Sequence, residues 1–516
     1  MRVYFKDFSS KISPADPASG LKAKYLIWGD WLDVDPDPAS AAHYIVNWKS
    51  FDARTNRVGV QHYRIERARC QDEALLEMIF LDVGQGDGCI VSVPDGNRQR
   101  TIIVDAGEGT NMHRFLKWKF RYTGASADFA AAVITHPDSD HYQGFQPLFD
   151  DSRIRFDTVY HNGLVERVST ARDDVLGPRQ SGYCIQLFPD RAGLETFLSD
   201  PATRGSKRYP KLLWTALQSP ARFADVHMAA IGMGDMGADG RTYLPGFAPG
   251  ATDASIEILG PVPEAGPGGA PALPTFGAAP GDGGYDVGKT KNGHSVILKL
   301  QHGNLRVIFG GDLNRPAEDR LLRHYGGIAP GAPLGDAVQQ ARGRLGADLL
   351  KCCHHGSADV TDEFLDAVHP FAFVVSSGDE ESHVHPRPEI LGLLGKKGRG
   401  ARPLILCTEI LRSTPESRKL SAAEVAKQAE LLDAERDAAT PAERKVARQR
   451  LTDFFNERFR RLVNVYGAIT IRSDGDRMMV AFRKEAVASG SPWQLYDYRF
   501  EGGEWVGKEL KNKGSH

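Results

Sequence analysis

The feature that most constrains this chain is a set of short apolar runs that each end in His or Asp. ADFAAAVIT leads into His136-Pro137-Asp138-Ser139-Asp140-His141, LRVIFGG into Asp312, DLLKCC into His354-His355-Gly356-Ser357, and FDTVY into His161. Runs this short, rich in Val, Ile and Phe and bounded by Gly, Asp or Pro, read as buried strands. MIFLDV, CIVSV, TIIVDAG, HSVILKL and FAFVVSS continue the same text. The chain is therefore expected to build sheets whose strand ends carry imidazole and carboxylate groups.

Residues 136–141 hold four possible metal ligands in six positions. On a loop leaving a sheet edge alternating side chains diverge, so one pair can meet one cation and the second pair a neighbouring one. Imidazole and carboxylate together suit zinc, manganese or iron. The competing reading is a polar turn whose Asp caps a helix near Tyr142. Asp312 follows two glycines, which let backbone approach an ion closely, and a carboxylate there can bridge two cations. Each of these residues alone could be an ordinary turn or surface group. Four strand ends with the same chemistry favour the metal site.

Composition sets limits rather than a function. A chain of 516 residues exceeds one ordinary core, so two or three folded units are expected. With 64 Lys+Arg against 66 Asp+Glu the net charge is −2, which excludes a polycationic nucleic-acid coat but leaves room for a local basic face. No apolar run reaches the roughly 18 residues of a membrane span, and MRVYFKDFSSK has charges where a signal peptide needs an apolar run. The expected location is the cytoplasm, with no membrane partner. The six Cys form no C-x-x-C pair, and the sixteen His are the richer ligand supply.

Along the chain, residues 1–75 read as a β-rich module in which HYIVNWKSF and RVGVQHYRIER are two strands. Residues 76–410 read as the catalytic domain, interrupted by an insertion over 165–290. The insertion has a helical middle and then a tract from Gly260 to Gly288 with 15 Gly or Pro in 29 residues, expected to bury little. Residues 411–516 read as a helical hairpin, with capping boxes at Ser421–Glu424 and Thr440–Glu443, followed by a β-hairpin around Asp474-Gly475. DVGQGDG has the glycines of a phosphate loop but leads into the strand CIVSV, so no helix N-terminus faces a phosphate and nucleotide binding is not expected. Ser357 lacks the G-x-S-x-G turn of a serine nucleophile.

FLDVGQGDG, IIVDAG, HPDSDH, GGD, KCCHHGS and SSGDEESHVHPRPEIL, in this order, resemble the metallo-β-lactamase-fold domain of the competence protein ComEC and its soluble standalone relatives. The likeness covers roughly residues 78–410 less the insertion, and NVYGAITIRSDGDRMMVAF resembles the tail of the standalone relatives. It implies an α/β fold, an αββα sandwich, with two divalent metal ions, zinc or manganese, along one edge. His136, Asp138 and His161 would hold the first metal and Asp140 and His141 the second. Asp312 would bridge, and either His354 or His355 would complete the second site, since successive strand residues point to opposite faces. Asp138 stands where many enzymes of this fold have His, which shifts preference somewhat toward manganese. Unlike ComEC, this chain has no membrane channel, so only the hydrolase is implied.

Two such cations about 3.5 to 4 Å apart would turn a bridging water into a hydroxide nucleophile near neutral pH. The expected function is thus a metal-dependent phosphodiesterase, most naturally a nuclease, with nucleic acid or another phosphodiester as substrate. Asp140, His354 and His385 are the candidate catalytic residues. The leaving-group acid would be His385, favoured over His383, or whichever of His354 and His355 is not bound to metal. Lys396, Lys397, Arg399 and Arg402, and the set Arg444, Lys445, Arg448, Arg450, Arg458, Arg460 and Arg461 with Phe454, Phe455 and Phe459, are candidate phosphate contacts. A solvated helix face is the simpler account of the second set. The alternatives are hydrolysis of a small phosphodiester, cyclic nucleotide or phosphocholine ester under the insertion, and a metal-stabilised, non-catalytic subunit binding an operon-encoded partner in defence or DNA processing.

Overall fold

A computed structural model describes residues 1–52, 57–120, 126–168, 175–277, 284–329, 331–377, 385–408, 421–459, 469–483 and 491–510. Leu76–Phe80, Gly88–Asp95 and Arg98–Ala106 pair antiparallel in chain order. Ala127–Val133 and then Ile154–His161 add to them in parallel. MIFL is apolar at every position because both faces of its strand are covered. Met78 and Phe80 point into a cluster shared with a second sheet, whereas Ile79 and Leu81 point into a cluster shared with helices.

The first sheet has ten strands and the second eight. Their facing sides share one apolar cluster, in which Phe80, Val91, Ile102 and Val133 meet Leu298, Val307, Phe309 and Leu349. On the outer side of the first sheet, Ile103, Phe129 and Phe156 pack with Phe115 and Leu116 of Asn111–Phe120 and Leu212 and Leu213 of Arg208–Leu217. On the outer side of the second, Ile308, Leu350 and Phe373 pack with Leu321 and Leu322 of Arg315–Gly326 and Phe364 of Asp362–Val368. Asn314 and Thr361 cap those two helices through their side chains. The protein is a mixed α/β structure with helices on the outer face of each sheet.

Seven strands before residue 72 form a separate sheet, in which His43–Asp52 pairs antiparallel with Arg57–Glu66. The stretch 165–290 is woven into both main sheets. Phe223–Met228 runs parallel to Ile154–His161, and Ser255–Gly260 pairs with Ile297–His302. The Gly/Pro tract also buries more than its composition suggests: Leu273 is inaccessible because Pro271–Pro274 pairs with Tyr183–Cys184.

The capping boxes sit at the starts of Ala422–Arg436 and Pro441–Phe459, where Ser421 and Thr440 each exchange hydrogen bonds with a Glu three residues on. The last four strands join the ten-stranded sheet, with Ile469–Ser473 paired antiparallel to Leu76–Phe80. No helix among the described residues is long and apolar enough to cross a membrane.

Candidate metal centre

Arg98–Ala106, Ala127–Val133 and Ile154–His161 run parallel in one sheet, and Leu305–Phe309, Leu349–Lys351 and Ala372–Val375 run parallel in the other. Parallel strands end at the same edge, so the groups that follow them gather there. Two glycines let neighbouring segments approach closely at this rim. A Cβ on Gly86, at φ +104°, would lie 1.7 Å from the Asp140 carbonyl oxygen, and one on Gly311, at φ +51°, would lie 2.7 Å from Ser295 Cβ. Asp105, His354 and His355 also have positive φ, an unfavourable conformation for residues with a Cβ.

Hydrogen bonds at Nδ1 decide what each imidazole offers through Nε2. His141 Nδ1 donates to Asp105 Oδ2 at 2.8 Å, and His355 Nδ1 donates to Asp87 Oδ1 at 3.0 Å. His136 Nδ1 lies 3.1 Å from Thr135 Oγ1 and 3.3 Å from Ser295 Oγ. Those hydroxyls give their protons to Asp105 and to the Asn292 carbonyl, so both accept from the ring. In their neutral form all three histidines therefore direct an Nε2 lone pair inward.

His141 Nε2 and His355 Nε2 stand only 3.2 Å apart, and two facing lone pairs repel unless a cation or proton lies between them. Asp312 lies 3.2 Å from His141 Nε2 through Oδ1 and 3.3 Å from His355 Nε2 through Oδ2. Asp140 Oδ2 lies 3.2 Å from His355 Nε2 and 3.9 Å from His141 Nε2. A four-coordinate cation with bonds of about 2.1 Å needs donor atoms about 3.4 Å apart. Among the described residues, the donor atoms of Asp87, His141, Asp312 and His355 lie within 4.8 Å of one another, and all four residues are buried. Among the described residues, buried Asp312 Oδ1 and His136 Nε2 have no hydrogen-bond partner, so the donor set fits a divalent cation.

Charge follows the same logic. Burial disfavours a charged imidazole at His141 and His355, yet Asp312 together with Asp105 at the first and Asp87 at the second pushes both well above the usual histidine range. Burial would raise the Asp140 carboxyl, but His141 and His355 outweigh it and hold it well below the usual carboxylate range. The buried carboxylates of the rim thus favour positive charge between them, a proton or a metal cation.

The remaining expected residues are placed differently. Asp138 lies 3.6 Å from His136 Nε2, and its other oxygen is bonded by the Lys291 ammonium. Burial would raise the Asp138 carboxyl, but His136 and Lys291 bring it down to about 2. His161 is fully buried, but its Nδ1 accepts the Gly163 N–H at 3.1 Å. The neutral ring therefore keeps its proton on Nε2, which has no partner among the described residues, and burial pushes its pKa down to about 3. Such a ring offers an N–H rather than the lone pair expected of a ligand.

Of the twin histidines, His355 faces the cluster, while the His354 side chain is 28% exposed with Nε2 3.8 Å from Asp312. The His385 ring centre lies 5.6 Å from that of His354 and 6.3 Å from that of His355. His383 lies outside the described residues, as do Arg460 and Arg461.

Three members of the basic clusters are paired with carboxylates. Lys397 pairs with Asp362 and Asp366, Arg399 with Asp348, and Arg448 with Glu435. Asp348 and Pro370, which Arg399 binds, precede the strands Leu349–Lys351 and Ala372–Val375 and so lie at the edge opposite the rim. Arg399 thus lies away from the candidate centre.

Asp87, Asp105, Lys291 and Lys351 are rim residues that the motifs did not single out. Asp87 and Asp105 stand in GQGDG and IIVDAG, and the strand-end pattern that marks Asp312 applies equally to Asp105. Lys351, paired with Asp87 in the interior, looks like any strand residue.

No family model matches the chain. The chain is similar to ComE operon protein 3 of Bacillus subtilis (strain 168), 28% identical over 106 residues that make up 20% of this chain and 12% of that protein. Among solved structures, a variant of CmlA beta-hydroxylase is similar at a TM-score of 0.29 and 12% identity, over 64% of this chain and 52% of that one.

Proposed function

We propose that the chain is a metal-dependent hydrolase of the metallo-β-lactamase fold, related to the ComEC domain, that cleaves phosphodiesters and most naturally nucleic acid. The observation that carries the metal centre is the pair of opposed Nε2 atoms of His141 and His355, 3.2 Å apart between Asp140 and Asp312. Helices outside two facing sheets, with the rim at the strand ends, suit that fold, and the local likeness to ComE operon protein 3 supports the relationship.

Asp140, His141, Asp312 and His355 would hold one cation, and His136 and Asp138, with Asp312 shared, a second. Divalent cations there would neutralise charge on a phosphoryl group and lower the pKa of a water toward neutrality. Asp105 and Asp87 fix the rings of His141 and His355, so the donor atoms need no rearrangement when substrate arrives. His354 and His385 are close enough to the rim to pass a proton to a leaving oxygen. Asp138, whose carboxyl stays ionised, supplies charge rather than protons.

A small phosphodiester is the second reading, favoured by Glu166 and Lys207. Both come from the 165–290 segment: Glu166 pairs with Lys291 beside Asp138, and Lys207 lies 3.9 Å from Glu166. Protein loaded with manganese or zinc should cleave single-stranded DNA, duplex DNA or RNA, and an Asp140→Ala, His141→Ala variant should not. Turnover of bis(p-nitrophenyl) phosphate alone would favour the small ester. Equal cleavage by wild type and variant would sink the site assignment.

A further inference from the structure

Lys291 brings a positive charge into direct contact with an expected ligand, Asp138, whereas the other buried lysine of the rim, Lys351, is taken up by Asp87 behind His355. It lies in Val287–Gly293, whose N-cap Asp286 holds the Lys289 N–H, and its side chain is 13% exposed. The ammonium bonds Asp138 Oδ1 and, at 3.0 Å, Glu166 Oε1. With its amide turned so that nitrogen faces the carboxylate, Asn292 donates to Asp138 Oδ2 at 2.8 Å. Both Asp138 oxygens then have donors of their own, whereas Asp140 has contacts with His141 and His355, whose Nε2 atoms face the same point. His161, tied to Gly163, presents an N–H in place of a lone pair.

We infer that Lys291 is a built-in competitor for the cation position at His136 and Asp138, so that the centre loads unequally. One divalent cation binds tightly at Asp140, His141, Asp312 and His355, and a second binds only when Lys291 releases Asp138. This inference rests on the metal-centre reading proposed above. A dication beside an ammonium in a poorly solvated site is repelled, which weakens the second binding step. Glu166 gives the ammonium somewhere to go. Lys291 can leave Asp138 and remain paired, so the second position is gated rather than abolished.

The test is a metal titration of the chelator-stripped full chain with manganese and with zinc, read by calorimetry and by metal analysis after gel filtration. Wild type should take one equivalent tightly and a second roughly a hundredfold more weakly. Lys291→Met should strengthen the second step by about tenfold or more and leave the first unchanged, and Lys291→Arg should keep the wild-type pattern. Glu166→Gln, which removes the alternative anchor while keeping the charge on Lys291, should weaken the second step further. It carries the test if Lys291→Met does not fold. Two equivalents of similar affinity in wild type, or a second step unmoved in the variants, overturns the inference and leaves the metal centre standing. No tightly bound metal in wild type overturns the metal-centre reading itself.

Discussion

Arg472 and Glu77, 395 residues apart in the chain, are joined by hydrogen bonds of 2.8 and 2.5 Å with both side chains buried. Arg472 also donates to the carbonyls of Ile27 and Trp28 and to Asp30, and Glu77 also receives Lys119. One guanidinium thus fastens a C-terminal strand to the first strand of the main sheet and to the N-terminal module. Arg472→Met is expected to cost about 3 to 5 kcal/mol, because it strands buried carboxylate and unpaired carbonyls. Urea denaturation compared with wild type checks this.

The same carboxylate predicts a pH limit. Burial would raise Glu77, but Lys119 and Arg472 bring it to about 2 from its ordinary 4.5. A carboxyl depressed in the fold contributes stability above its unfolded pKa and loses it as pH falls through the folded one. Melting temperature should drop between about pH 4.5 and pH 2 in wild type, and the share due to Glu77 should be absent in Glu77→Gln.

Glu318 works in the opposite direction. It is fully buried with its Oε2 accepting the Thr361 N–H at 2.6 Å, and burial raises its pKa to about 8. The folded state holds this proton when the unfolded state has lost it, so stability falls as pH rises from 4.5 toward 8. The loss is on the order of 3 kcal/mol at neutral pH. Glu318→Gln should remove it, giving a melting temperature that declines less between pH 6 and pH 8 than that of wild type.

Asp105 stands behind His141, where it receives both the His141 Nδ1 proton and the Thr135 hydroxyl and N–H. Asp105→Asn keeps the shape and suits the positive φ, but removes the charge that holds the His141 tautomer. Metal affinity should fall about ten- to a hundredfold with the fold intact. Competition with a chromophoric chelator, beside a circular dichroism spectrum, measures both.

Gly86→Ala should damage the rim without touching a ligand. The new methyl would meet the Asp140 carbonyl at 1.7 Å in a left-handed backbone, so the 138–141 loop must move. Bound metal per chain should fall, and a melting temperature lowered by several degrees, on the order of 1 to 3 kcal/mol, should accompany it. An unchanged metal content would show that the loop tolerates the shift.

What was legible in the sequence is what short segments settle by themselves. MIFL and FAAAV are apolar on both faces and read as covered strands, and Ser421 with Glu424 spells a helix start in four residues. HPDSDH set four candidate ligands directly after a strand because His136, Asp138, Asp140 and His141 are close together in the text. These are consequences of local sterics, hydrophobic period and residue chemistry, and they need no knowledge of neighbours.

The rest required the three-dimensional arrangement. Lys351 meets Asp87 across 264 residues, Lys291 meets Asp138 across 153, and Ile469–Ser473 lies beside Leu76–Phe80. His161 reads like His136 in the text, and only the Gly163 N–H at its Nδ1 separates a proton donor from a lone-pair donor. Lys397 and Arg399 read as open charges until Asp366 and Asp348 face them. Residue type alone determined which chemistry this protein could carry. Which groups share a desolvated space, where charge and tautomer are set by the nearest partner rather than by water, was decided by tertiary structure alone.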